Sequence, residues 1–204
     1  MISIVNYGLG NIQAFANIYK KLNISVRIAS SIDELSGSEK IILPGVGAFD
    51  WAMTRLHQSG MLPLLNELVI DKKVPVLGIC VGMQIMANNS EEGVLTGLGW
   101  IRGNVKRFDE KLFTKKKPLP HMGWNDVSPK CDRGLFNKLE TGAIFYFLHS
   151  YYFSPEKNTD VLATTDYNGT YASSVCHDNI YGVQFHPEKS HGWGIQLLKN
   201  FAEL

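Results

Sequence analysis

The chain has 204 residues, 45% hydrophobic and 19% charged, so it is long enough to bury a substantial core and too apolar for a disordered tail. Lys and Arg number 20 against 19 Asp and Glu, a net charge of +1, which leaves no basic surplus for holding a nucleic-acid backbone. No run of about 18 apolar residues is present to span a membrane, and the amino-terminal stretch has no basic region ahead of its apolar residues, as a secretion signal would.

The first half alternates short apolar runs with helical spacing. Ile2 to Asn6 reads as a strand closed by the turn Tyr7-Gly8-Leu9-Gly10, and Asn11 to Leu22 as a helix with Ile12, Phe15, Ala16 and Tyr19 on one face. Strands are expected at Val26 to Ala29, Lys40 to Leu43 and Val74 to Ile79, and helices at Phe49 to Leu56 and Leu62 to Ile70, with another helix starting over Gln84 to Asn88. Almost continuously apolar strands separated by helices imply βαβ units and a parallel sheet covered on both faces.

The second half changes character. Val105 to Phe108, Asn125 to Val127, Ala143 to Leu148, Val161 to Thr165, Ala172 to Cys176 and Ile180 to Phe185 look extended, with turn signals such as Asn168-Gly169 and Asp178-Asn179 between them. Antiparallel strands are therefore expected on a parallel core, and an amphipathic helix over Ile195 to Phe201 closes the chain. No repeat or linker breaks residues 1–204, so one domain is expected. The run Lys115-Lys116-Lys117 ahead of Pro118 reads as a solvated loop. The three cysteines, Cys80, Cys131 and Cys176, are odd in number and widely spaced, which fits a reducing cytoplasm better than a disulfide framework. The absence of CxxC and HExxH patterns argues against a metal site.

Three segments carry chemistry. Gly78-Ile79-Cys80-Val81-Gly82 lies where a buried strand gives way to a helix. Glycines flanking a nucleophile are the pattern of a nucleophile elbow, and a helix amino-terminus aimed at the sulfur would favour its thiolate. The alternative is a small buried hydrophobic residue. Gln184-Phe185-His186-Pro187-Glu188 supplies a base and, two residues on, a carboxylate on the same face of an extended chain to orient it. Alone, a histidine at a strand end is more often structural. His57, His121, His149, His177 and His191 have no carboxylate at that spacing. Pro44-Gly45-Val46-Gly47 follows a strand directly. It is either an ordinary turn or a place where main-chain N–H groups meet a developing oxyanion, with the Val81 amide as second donor.

In order and spacing these three segments, the last continuing as His186-Pro187-Glu188-Lys189-Ser190, resemble the class I (triad) glutamine amidotransferases. Tyr7-Gly8-Leu9-Gly10-Asn11, Pro120-His121-Met122-Gly123-Trp124-Asn125 and Phe145-Tyr146-Phe147-Leu148-His149-Ser150-Tyr151 are similar to the glutaminase subunits of imidazole glycerol phosphate synthase. The resemblance covers essentially the whole chain. It implies a flavodoxin-like α/β fold: a central, mostly parallel sheet flanked by helices, with additional antiparallel strands.

It also implies roles. Cys80 attacks the side-chain amide of glutamine to form a thioester, His186 moves the proton, and Glu188 orients His186. Gly45, Val46, Gly47 and Val81 surround the oxyanion. Gln84 and the rim His149-Ser150-Tyr151 hold the amino acid. No cofactor is implied. The implied partner is a (β/α)8 cyclase that receives ammonia in a heterodimer, with Asn11, Trp124, Tyr146 and Lys189 at or near the interface. Trp124 is alternatively a core residue. Val81 in place of the usual leucine and the run Met86-Ala87-Asn88-Asn89-Ser90 depart from the commonest pattern. They keep open a cyclase-like partner that amidates a surface-glycan sugar. An alternative of another class is a non-catalytic flavodoxin-like module, although Gly8-Leu9-Gly10 lacks the third glycine of a nucleotide turn.

Overall fold

The computed structural model describes residues 1–112, 118–130, 134–139 and 142–204. The Lys115–Lys117 run and Cys131 lie outside them.

The first strands and helices follow the expected alternation: β1 (Ile2–Val5), α1 (Ile12–Lys21), β2 (Val26–Ala29), α2 (Ile32–Leu35), β3 (Lys40–Gly45), α3 (Phe49–Gln58), α4 (Leu62–Asn66) and β4 (Val76–Cys80). The expected helix to Ile70 continues past α4 as a wider π turn over Glu67–Asp71. The short α2 was not anticipated; Ser31 starts it, its side chain accepting from the Glu34 amide at 3.2 Å.

After Cys80 the expectation fails in an informative way. The helix is α5 (Val81–Gln84), a single turn before Gln84 to Asn88 can form one, and Asn89–Ser90 is the strand β5. The carbonyls of Ile85, Met86, Ala87 and Asn88 accept instead from Leu98, Ile101, Gly99 and Gly97. The Asn88 side-chain oxygen also accepts from the Gly103 amide, at 2.9 Å. Asparagine and serine compete with helix for their own backbone, and here a neighbouring loop takes every carbonyl the next turn would need.

The remaining elements are β6 (Gly103–Arg107), β7 (His121–Asp126), β8 (Ser128–Pro129), β9 (Ile144–His149), β10 (Tyr151–Pro155), β11 (Val161–Asp166), β12 (Thr170–His177), β13 (Ile180–Val183) and α6 (His191–Glu203). The main sheet has eight strands in the order β2-β1-β3-β4-β13-β12-β11-β8. The five from β2 to β13 are parallel and the last three antiparallel. Only part of the second half extends this sheet. β10-β6-β5 and β7-β9 form two small sheets of their own. β10 escaped the sequence because it follows β9 after Ser150 alone, with no turn signal between.

β4 is central, buried at every residue and flanked by β3 and β13 in parallel register. Its carboxyl end therefore opens where neighbouring strands also end, the usual place for a site in such a sheet. α1 and α6 lie together, joined where the buried Tyr19 hydroxyl donates to the Leu198 carbonyl at 3.1 Å. Among the described residues no helix is long and apolar enough to cross a membrane.

Candidate active site

Cys80 stands at the end of β4 with φ 55° and ψ −114°, a conformation that only glycine adopts without strain. Three glycines allow this sharp turn. A Cβ on Gly82 would meet the Leu43 carbonyl oxygen at 1.9 Å, one on Gly45 the Gly82 nitrogen at 2.3 Å, and one on Gly78 the Gly82 carbonyl oxygen at 2.6 Å. The elbow is main chain against main chain. Tyr7 fixes it from below: its buried hydroxyl donates to the Pro44 carbonyl at 2.5 Å. Burial, and then the charge of Cys80, push that phenol well above its ordinary range. With a single turn behind Cys80, the local amides rather than a long helix dipole supply positive potential.

His186 and Glu188 follow β13, the strand beside β4. His186 Nδ1 lies 2.9 Å from Glu188 Oε1, and both side chains are buried. A carboxylate only accepts, so Nδ1 donates. Among the described residues Glu188 Oε2 is buried without a hydrogen-bond partner, and the imidazole is the group that balances the carboxylate. Burial works against a charged His186, but hydrogen bonds to Cys80 and Glu188, and then their charges, outweigh it and push the imidazole up to about 10. The direction favours an imidazolium between the carboxylate and the sulfur. Ser190 pins the turn: its hydroxyl donates to the His186 carbonyl at 2.6 Å and accepts from the Tyr146 amide at 3.0 Å.

A cavity of about 360 Å³ opens over the sulfur. Val46, Gly47, Cys80, Val81, Gln84, His149, Ser150, Tyr151, His186 and Lys189 line it, as does Glu92. Gly45 lies just behind the lining, against Gly82. Gln84 and His149 face the cavity with their polar ends already engaged. Gln84 Nε2 donates to the Tyr151 carbonyl and to Gln184 Oε1, both at 3.0 Å. His149 Nδ1 donates to the same carbonyl at 2.7 Å. Its Nε2 lies 3.1 Å from the Tyr171 hydroxyl, which is also 3.1 Å from His121 Nδ1. Burial, then the like charge of His121, hold His149 down to about 3 against the Tyr151 carbonyl, so it is neutral.

Four expected interface residues fall in two places. Trp124, Tyr146 and Lys189 form one cluster: Trp124 meets Tyr146 edge-on at 6.1 Å, and Lys189 Nζ lies 5.5 Å from the Tyr146 ring. Trp124 also stacks on His191 at 5.1 Å and is 44% exposed, so it is a surface residue. Asn11 is outside the cluster and caps α1 through the Ala14 amide at 3.3 Å. Its loop reaches β3 at Gly10, where an added Cβ would touch Pro44 at 2.6 Å.

Sequence reasoning missed Glu92, Gln184, Tyr7 and the His121–Tyr171–His149 run. Glu92 is brought in by the loop after β5, where its carboxylate accepts from the Phe49 amide at 2.9 Å; nothing in the sequence separates it from Glu91. Gln184 touches the sulfur itself, Nε2 to Sγ 3.8 Å. Its place two residues before His186 was the available signal.

Residues 3–204 match the family model described as glutamine amidotransferase class-I. The imidazole glycerol phosphate synthase subunit HisH of Bdellovibrio bacteriovorus is 58% identical, with all of both chains covered. The subunit of the same name from Leptospira interrogans is 50% identical over the same full span. Among solved structures, a putative GMP synthase subunit from Thermoplasma acidophilum superposes with a TM-score of 0.72 at 22% identity, covering 99% of this chain and 92% of that one. A further glutamine amidotransferase superposes with a TM-score of 0.72 at 16% identity, covering 100% and 99%. Those two likenesses speak for the fold.

Proposed function

The chain belongs to the class I glutamine amidotransferase family, and from that premise we propose that the cavity over Cys80 is where it hydrolyses glutamine. It is a glutamine amidotransferase of histidine biosynthesis, the glutaminase of an imidazole glycerol phosphate synthase. The observation that carries the site assignment is the buried Cys80–His186–Glu188 constellation, with His186 Nδ1 on the Glu188 carboxylate and both Cys80 and His186 lining one cavity.

In this reading the ammonium of glutamine faces Glu92 and its carboxylate faces the main chain at Ser150 and Tyr151. Cys80 Sγ adds to the side-chain amide carbon, and the carbonyl oxygen takes the negative charge. The amides of Val81 and of Val46 or Gly47 receive that charge, with Gly45 giving the strand room to approach. When the tetrahedral species collapses, the C–N bond breaks and His186 passes its proton to the leaving nitrogen. Ammonia departs and a thioester remains. Water then adds to the thioester with one of its protons passing to His186, the C–S bond breaks to free the thiolate, and the new carboxyl group loses the other proton to solvent as glutamate leaves. Glu188 keeps Nδ1 protonated, which leaves the other ring nitrogen for the transfer.

The ammonia goes to a (β/α)8 cyclase partner in a heterodimer. What supports a docking face is the two-stranded sheet β7–β9, where Met122 pairs with Leu148 and Trp124 with Tyr146 on one side. Met122 is 64% exposed and Leu148 39%. An apolar sheet face turned to solvent calls for a cover, and Leu148 and Lys189 carry it to the cavity mouth. A partner seated there shields ammonia from protonation in bulk water. The names of the relatives favour histidine synthesis over amidation of a glycan sugar, and the triad speaks against a non-catalytic module. The same reading sets the reaction in the cytoplasm, in keeping with the odd number and wide spacing of the cysteines.

The test is Cys80→Ala in the complex with the cyclase. Glutamine-dependent synthesis is lost, while synthesis from added ammonium salts continues. Persistence of the glutamine-dependent reaction overturns the covalent mechanism.

A further inference from the structure

One peptide carbonyl sets the polarity of the amides around the nucleophile. The Tyr151 carbonyl oxygen can only accept, so the end of the Gln84 amide that faces it at 3.0 Å is the nitrogen. That same nitrogen lies 3.0 Å from the Gln184 amide, whose facing atom must then be oxygen. The nitrogen of Gln184 is left to point at Cys80 Sγ, 3.8 Å away. The reverse orientation would set two NH2 groups against each other between two buried side chains. Gln184 is fully buried and directly follows β13, whose Val183 pairs with Ile79. The sheet register therefore brings it alongside Cys80.

We infer that Gln184 is a further catalytic residue, an N–H donor to the Cys80 sulfur that favours the thiolate alongside His186. A hydrogen bond to an ionised acceptor is stronger than one to a neutral thiol, so the contact stabilises the charged form selectively. Its other end, locked through Gln84 to the Tyr151 carbonyl, prevents the amide from turning its oxygen to the sulfur. The inference rests on Cys80 being the nucleophile. The titratable groups facing the sulfur are His186 with Glu188 behind it, Tyr7 beneath the elbow, and His149, Glu92, Lys189 and Tyr151 around the cavity. All of them remain when position 184 is changed.

The experiment follows alkylation of Cys80 by iodoacetamide against pH in the full chain, with Cys80→Ala as the blank. Gln184→Met keeps the length of the side chain and removes the donor. Its alkylation midpoint moves up by about one pH unit, so reaction below the midpoint slows roughly ten-fold while the high-pH plateau stays. Gln184→Glu, which adds a like charge, moves the midpoint further. An unmoved midpoint in Gln184→Met overturns the inference, and so does a shift seen only in Gln184→Glu or a loss uniform across pH. In the unaltered chain, a side-chain amide proton of Gln184 shifts in NMR spectra with the Cys80 midpoint, and its failure to do so also overturns it. A Cys80 inert to iodoacetamide in the unaltered chain instead removes the nucleophile assignment, which separates the two failures.

Discussion

On the elbow side of the cavity, Gly45, Gly78 and Gly82 let main chain touch main chain. On the facing side, His121, Tyr171 and His149 hold the wall by a run of side-chain hydrogen bonds that ends on the Tyr151 carbonyl. The first wall is fixed by volume. It has no titratable group in its contacts between glycines, and no room for a methyl. The second wall has side chains that other packing could replace, but its bonds depend on which ring nitrogen carries a proton. A site assembled from both is sensitive to mass on one side and to protons on the other.

The hardest way to break the first wall is Gly82→Ala. The new Cβ overlaps the Leu43 carbonyl, and that oxygen is backbone, so it cannot swing aside. The expected loss is about 4 kcal/mol or more, seen as a collapse of the urea midpoint or as insoluble chain. Unchanged stability would mean that α5 is not seated against β3 as described.

Where the two walls meet, at His186, the change is electrostatic. Glu188→Gln keeps the shape and removes the charge that holds the imidazole protonated. Glutamine hydrolysis falls about 10²–10⁴-fold, and the His186 titration followed by NMR moves down from about 10. Equal rates for the variant and the unaltered chain would take Glu188 out of the site.

The smallest effect sharpens the second wall. His149 is held neutral down to about 3, whereas in the unfolded chain it titrates near its ordinary value of 6.5. Between those values the unfolded state binds the extra proton, so stability is complete above pH 6.5 and lost as pH falls toward 3. His186 works the other way. Its raised value makes stability complete below 6.5 and lost as pH rises toward about 10. Urea unfolding of His149→Gln against the unaltered chain isolates the first term. From pH 6.5 to 5 the unaltered chain loses about 1–2 kcal/mol more than the variant. Parallel profiles for the two chains would show that His149 is not buried neutral.

These walls were not equally legible in the sequence. The elbow and its glycines are local: Gly78, Cys80 and Gly82 sit within five residues, and a buried strand before them sets their context. His186 and Glu188 are two apart and equally plain. The second wall is assembled from β7, β9 and β12, so its members are far apart in the chain, and no periodicity joins Tyr171 to His121 fifty residues before it. Glu92 was hidden for the same reason. The expected helix after Gln84 failed because the loop at 97–101 competes for its carbonyls, a tertiary effect that local spacing cannot register. The open, apolar face of β7–β9 shows only when the register pairs Met122 with Leu148 and Trp124 with Tyr146.

The backbone of Cys80, at φ 55°, holds a β-carbon where a glycine would rest at ease. Such a conformation costs about 1–3 kcal/mol. At position 80, therefore, the proposed mechanism and robustness call for different residues: the thioester needs the cysteine, and the backbone favours glycine. A lineage that no longer needed glutamine-derived ammonia would gain stability by drifting to glycine there, and its descendants would keep the sheet, the close-packed glycines and the exposed face of β7–β9 around an elbow with no sulfur.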